Sequence, residues 1–299
     1  MEEFKKRLIH LIHAKPLSWK AVYTLLKIDP CLSSLYSPSF AESINANVKT
    51  SLTKLQKIPI DSLLEYYHSH DVQLISFFDE DYPLQLKAIH QPPWILFTKG
   101  DKTLLEQPFP LAVVGSREAT PYGKQAIETL FPELIKYEAI IISGLAKGID
   151  AYAHKTAIKL GGRTIGVIAG GINHLYPKEN HELAKFMMKE HLVVSEYPPD
   201  TKPEKWQFPL RNRIIGGLGK GTLVIEAKKR SGSFITADFA LNEGREVFAV
   251  PGSILTPSSV GTNELIQLGA KLVKEPKDII EEIFPNLYPI EKNYQNGSF

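Results

Sequence analysis

The chain has 299 residues, 43% of them hydrophobic and 23% charged, enough for one large core and a smaller unit. A formal net charge of +2 excludes a polycation, so any nucleic-acid footprint has to be local. The single cysteine, Cys31, excludes an internal disulfide framework or a Cys-rich metal site and suits a reducing compartment. The opening MEEFKKRLIHLIHA carries acidic residues, and His10 and His13 interrupt its apolar run, so it is a poor secretory signal. No apolar run approaches the roughly 18 residues that cross a bilayer. A cytoplasmic protein without a membrane span is expected.

Residues 1–72 read as a small all-helical domain. Leu8, Leu11 and Ile12, then Trp19, Val22, Leu25 and Leu26, recur at helical spacing, punctuated by Pro16, Pro30, Pro38 and Pro59. Residues 73–110 form a connector whose apolar runs, Leu74–Phe78 and Trp94–Thr98, predict two short strands flanking the main sheet. From Leu111 the runs LAVVGS, AIIISG, RTIGVIA, LVVSEY, TLVIEA and EVFAV alternate with amphipathic stretches of helical length. That alternation predicts a doubly wound α/β domain over 111–285, with a mostly parallel sheet covered on both faces. A polar tail over 286–299 is expected to be flexible.

In such a sheet ligands bind beyond the carboxyl ends of the strands. The loops predicted there are Gly115-Ser116-Arg117, the stretch Ser143 to His154, Ala169 to Asn173, Glu226 to Ser233, and Pro251-Gly252-Ser253. Glycines, small hydroxyls and cations dominate them, and free amides at helix starts suit phosphate. From Lys202 to Arg230 there are eight basic residues against two acidic ones. Arg211 and Arg213 adjoin Phe208, Pro209, Ile214 and Ile215. Covered guanidinium groups need anionic partners, and few stand nearby in sequence, which points to an external anion.

Plainer readings compete. Asp150, Ser231 and Ser233 each suit a helix N-cap. His154, His174 and His181 lack metal-ligand spacing, so no metal is expected. GGLGKGT, Gly216 to Thr222, is not a P-loop, because a helix precedes it and a strand follows. Neither a GxSxG elbow nor a GxGxxG dinucleotide fingerprint is present, and no cofactor is expected. Tyr176 and Phe234 fall near the same edge, but aromatics so placed are more often core.

AVVGSREATPYG, IISGLAKGIDAYAH, TIGVIAGGINHLYP, SEYPP, FPLRNRIIGGL, VIEAKKRSGSFITADFALNEGREVFAVPG and GTNELIQLGA closely resemble, in order, the DNA-processing protein A family (DprA, or Smf). The likeness runs from about residue 74 to about 284, and the first segment resembles the small SAM-like helical domain of many members. The winged-helix-like module that some members add is not expected, since the sequence stops at Phe299.

The resemblance implies an extended Rossmann-like fold that binds and protects single-stranded DNA and helps load the RecA recombinase in natural transformation and homologous recombination. It also implies a homodimer formed through the Rossmann-like domain. By the family's motifs, Arg117 and Lys147 would line the DNA pocket. Gly144 and Gly148 would let the strand approach the loop backbone, with Asn173 on the neighbouring loop and the RNR motif intact as Arg211, Asn212 and Arg213. Ser116, Lys228, Ser231 and Ser233, on the phosphate-suited loops, complete the candidate DNA-binding set. The competing reading is a nucleotide phosphoribohydrolase-like enzyme, with Glu226 as its carboxylate and Asp150 or Asp238 as the second group. A non-enzymatic role is expected.

Overall fold

The structure is a computed structural model that describes residues 2–14, 17–37, 40, 46–55, 57–229 and 231–283. Nine strands form one sheet in the order β1-β2-β6-β5-β4-β3-β7-β8-β9. β3 (Pro110–Val114), β4 (Ile140–Ser143), β5 (Thr164–Ile168), β6 (Leu192–Ser195), β7 (Gly221–Val224) and β8 (Glu246–Ala249) occupy the six runs predicted as strands. They pair in parallel and are buried almost throughout, as expected of strands covered on both faces.

The connector strands β1 (Gln73–Ser76) and β2 (Ile95–Gly100) form an antiparallel hairpin, and β2 pairs antiparallel with β6. Both extend the main sheet at one edge. At the other edge β9 (Lys271–Leu272) pairs with β8 over two residues, too short to leave a periodic signal.

The N-terminal helices α1 (Glu2–His13), α2 (Trp19–Ile28), α3 (Ala46–Leu55) and α4 (Ile60–Ser69) do not close on themselves alone. Leu8, Leu11, Leu25 and Leu55 share one apolar cluster with Ile95, Phe97, Met187 and Val193 of the sheet and its covering helix. An aromatic stack marks the seam. Trp19 lies on Trp94 at 4.9 Å and 17°, and its Nε1–H donates to the Pro92 carbonyl at 2.7 Å. The tail expected over 286–299 lies outside the described residues.

The remaining helices are α5 (Leu84–Lys87), α6 (Pro121–Lys136), α7 (Ile149–Lys159), α8 (His181–Glu190), α9 (Gln207–Leu218), α10 (Gly232–Asn242), α11 (Val260–Gln267) and α12 (Lys277–Ile283). The chain runs β3-β4-β5-β6 outward, then returns through α9 to lay β7 on the other side of β3. The strand order therefore reverses between β3 and β7, where ligand clefts open in such folds.

His154 is buried in α7. The Thr164 hydroxyl donates to the Ile141 carbonyl at 2.6 Å, so it must accept from His154 Nδ1–H at 2.6 Å. Burial pushes the imidazole down to about 3, aided by His191 and Arg211.

Trp19→Ala should cost about 2 kcal/mol in urea unfolding, through lost stacking and the orphaned Pro92 carbonyl. His154 gives a second expectation. Its folded value lies below the unfolded one, so the unfolded chain binds the proton first. Its contribution is complete above pH ~6.5 and is lost as pH falls towards 3, about 2 kcal/mol of it by pH 5. Urea unfolding at pH 7 and pH 5 should reveal that loss, and His154→Gln should flatten it.

Candidate functional site

A cleft of about 840 Å³ opens at the switch point, lined by the ends of β3 and β7 and by α7, α9 and α10. Its wall carries four cations, Arg117, Lys205, Arg211 and Lys228, against two carboxylates, Glu118 and Asp150. Glu118 and Lys228 pair at 2.9 Å with side chains 82% and 57% exposed, so that bridge is weak and exchangeable. Arg117 and Lys205 are exposed and have no carboxylate partner among the described residues.

Arg117 lies over the Phe208 ring at 6.0 Å, and Tyr176 meets the same ring edge-on at 5.7 Å. Tyr176 is 57% exposed, whereas Phe234 packs against the core. The first turn of α10 also faces the cleft through Ser231, Gly232 and Ser233. Ser231 is its N-cap, accepting from the Phe234 amide at 3.4 Å. A helix start of this kind adds positive partial charge to the wall.

Two glycines hold the loops in place. Gly148, with φ +78° and ψ −127°, adopts a backbone essentially restricted to glycine and precedes α7. A Cβ there would run into the Ser116 carbonyl and the Arg117 backbone, and the Ile149 amide donates to Ser116 O at 3.0 Å. At Gly144 the place of a Cβ is taken by Arg211 Nη1, with Asp150 Oδ2 2.7 Å from it. Both glycines thus serve loop packing inside the protein.

Both arginines of the RNR motif have partners inside the protein, so an external anion is not their only source of acceptors. Arg211 is 5% exposed, and its Nη1 donates to Gly144 O at 2.5 Å and Val167 O at 2.7 Å. Burial lowers its guanidinium to about 10, opposed by Asp150, and it still borders the cleft. Arg213 is 8% exposed, bonded at 2.5 Å to the partly buried Glu196, and not part of the cleft wall. Burial raises the Glu196 carboxyl, and Arg213 opposes that rise. Between the two arginines, Asn212 donates to Gly232 O at 3.2 Å and ties α9 to the start of α10.

The remaining candidates divide. Ser116, Lys228, Ser231 and Ser233 line the cleft with Arg117 and Asn212. Lys147 follows the cleft-lining Ala146 but pairs with Glu179 in an exposed bridge. Asn173 lies outside the cleft wall, donating to Asp200 at 2.8 Å and to the Tyr66 hydroxyl at 3.4 Å. Asp150 is not the N-cap of α7, a place Gly148 takes. It stands two residues further on, buried, and accepts from the Gly144 amide at 3.2 Å. Burial raises its carboxyl, with Arg211 opposing. Glu226 is turned away from the cleft and accepts from the Thr120 amide at 3.1 Å and hydroxyl at 2.5 Å. Asp238 lies on the exposed side of α10.

A family model described as DNA recombination-mediator protein A matches residues 73–284. The chain belongs to this family. DNA processing protein DprA of Bacillus subtilis (strain 168) is 46% identical over 263 residues, covering 86% of this chain and 88% of that one. DprA of Streptococcus pneumoniae is 49% identical over 207 residues, 69% of this chain and 73% of its own. The X-ray structure of the S. pneumoniae DNA processing protein A superposes with a TM-score of 0.83 at 39% identity, over 93% and 97% of the two chains. DNA processing protein A from Helicobacter pylori, whose structure is described for its single-stranded DNA binding mode, matches with a TM-score of 0.65 at 32% identity, over 72% and 97%.

Lys205 and Phe208 were not singled out from the sequence of this family member. Lys205 was one cation in a basic stretch and Phe208 one apolar neighbour; the first turn of α9 brings Phe208 against Arg117, and Lys205, just before that helix, lines the same cleft. Gly144→Ala and Gly148→Ala should each lower the unfolding free energy by about 2 kcal/mol or more, through overpacking at the first and backbone strain at the second. Chemical denaturation measures both.

Proposed function

We propose that the chain binds single-stranded DNA in this cleft without reading its sequence. We further propose that it protects the bound strand and helps load the RecA recombinase on it during natural transformation and homologous recombination, as a cytoplasmic homodimer. Residues 111–285 are the DNA-binding unit in this reading.

The observation that carries the proposal is the charge remaining on the cleft wall. Asp150 counters Arg211, and Glu118 balances Lys228, so Arg117 and Lys205 are left uncompensated on the cleft wall, Arg117 over the Phe208 ring that Tyr176 meets edge-on. Cations hold phosphates of any sequence, and rings stack with any base. The family membership and the single-stranded DNA mode described for the H. pylori relative support the same reading.

Fluorescence anisotropy of a labelled oligothymidylate across a salt series tests it. Affinity for the single strand should exceed that for a duplex of equal length, and log Kd against log salt should have a slope of about 0.7 per phosphate neutralised. Arg117→Ala and Lys205→Ala should each weaken binding several-fold and each reduce that slope by about 0.7. Parent-like affinity and slope in both variants would falsify the assignment of the cleft.

A further inference from the structure

Gly144 is gripped at both ends by opposite charges. Its N–H donates to Asp150 Oδ2 at 3.2 Å, and its carbonyl accepts from Arg211 Nη1 at 2.5 Å. The same Nη1 donates to Val167 O at 2.7 Å, so one guanidinium spans the carboxyl ends of β4 and β5. The loop that begins at Gly144 borders the cleft through Ala146. Asp150 and Arg211 are both buried, at 6% and 5% exposure.

Resting on the reading of the cleft as a single-strand site, we propose that Asp150 and Arg211 are a positioning couple: they set the loop over 144–148 in its binding geometry and contribute no net charge to the bound strand. The chemistry gives this an unusual sign. A carboxylate on the wall of an anion-binding cleft ordinarily repels the ligand, and removing it should tighten binding. Here the carboxylate holds the Gly144 amide and counters the arginine, so removing it should loosen the wall and weaken binding. Arg211, likewise, has its Nη1 engaged by two carbonyls. A phosphate could take that nitrogen only by breaking the bonds that hold the loop.

Three variants separate positioning from direct contact: Asp150→Asn, nearly isosteric but without the charge that counters Arg211; Arg211→Lys, which keeps the charge and loses the two-carbonyl span; and Arg117→Ala as the direct-contact control. Each is followed by oligothymidylate anisotropy across a salt series and by amide hydrogen exchange over 144–148, with thermal melts to verify folding. Asp150→Asn and Arg211→Lys should bind at least tenfold more weakly with the parent's salt slope, and exchange faster over 144–148. Arg117→Ala should lose slope and exchange normally. Should Asp150→Asn not fold, Arg211→Lys carries the same comparison.

Asp150→Asn binding as tightly as the parent or more tightly overturns the couple, as does an Arg211→Lys slope reduced like that of Arg117→Ala. A parent chain that fails to bind the oligonucleotide overturns the functional reading instead. Exchange then judges the couple by itself: faster in both variants upholds it, unchanged overturns it.

Discussion

A guanidinium withdrawn from water has to be met by acceptors, and the cleft is built around meeting Arg211. It cannot shed its proton near neutral pH, and burial lowers it only to about 10. Two carbonyls engage its Nη1 and Asp150 supplies a countering field, while its Nε is buried without a hydrogen-bond partner; the carbonyls lie at strand ends and Asp150 in the first turn of α7, around the cleft. Glycine at 144 follows from this, because the guanidinium occupies the volume of a side chain there. The loop, the start of α7 and the start of α10, which Asn212 ties to α9, are thereby referred to one helix. A cleft whose walls are pinned in this way needs little rearrangement to take up a ligand, and preorganisation of that kind strengthens binding without adding contacts.

What the sequence revealed of the fold was whatever had a short period. The six buried strand runs and the helical stretches between them could be read because each is an uninterrupted pattern. The two-residue β9 had too little length to show one. Loop composition pointed to the correct edge of the sheet for the cleft, since glycines and small hydroxyls gather there for a reason visible in one dimension. Partnership is not visible in one dimension. Glu196 pairs with Arg213, and Arg211 reaches the Gly144 and Val167 carbonyls of other βα units, so both arginines looked unsatisfied when only their neighbours in sequence were considered. Tyr176 failed in the opposite direction. Its apolar character suggested core, and its exposure depends on where the loop after β5 comes to lie.

Exposure then sorts the cations by what they can do. Arg211 and Arg213 are held by partners that cannot leave without stranding a buried charge. Lys228 and Lys147 are held by exposed carboxylates, Glu118 and Glu179, whose bridges give little net stabilisation in water. Arg117 and Lys205 lack carboxylate partners altogether among the described residues. The chain is nearly neutral as a whole, so screening at ordinary ionic strength limits its long-range field, and the local arrangement has to supply the attraction.

That sorting has a consequence for what kind of anion the cleft favours. Lys228 and Lys147 each carry a carboxylate on the same chain, and a lone phosphate must displace it unaided. A polymer differs. Once Arg117 and Lys205 hold one part of a strand, the next phosphates are tethered nearby and reach the bridged lysines at a local concentration set by the backbone, in the millimolar range for short flexible links. The exposed bridges then act as a filter. They cost a tethered phosphate little, and they keep these lysines occupied against small anions that arrive one at a time. A near-neutral protein can in this way favour a polyanion over a mononucleotide, which gains only what Arg117 and Lys205 supply.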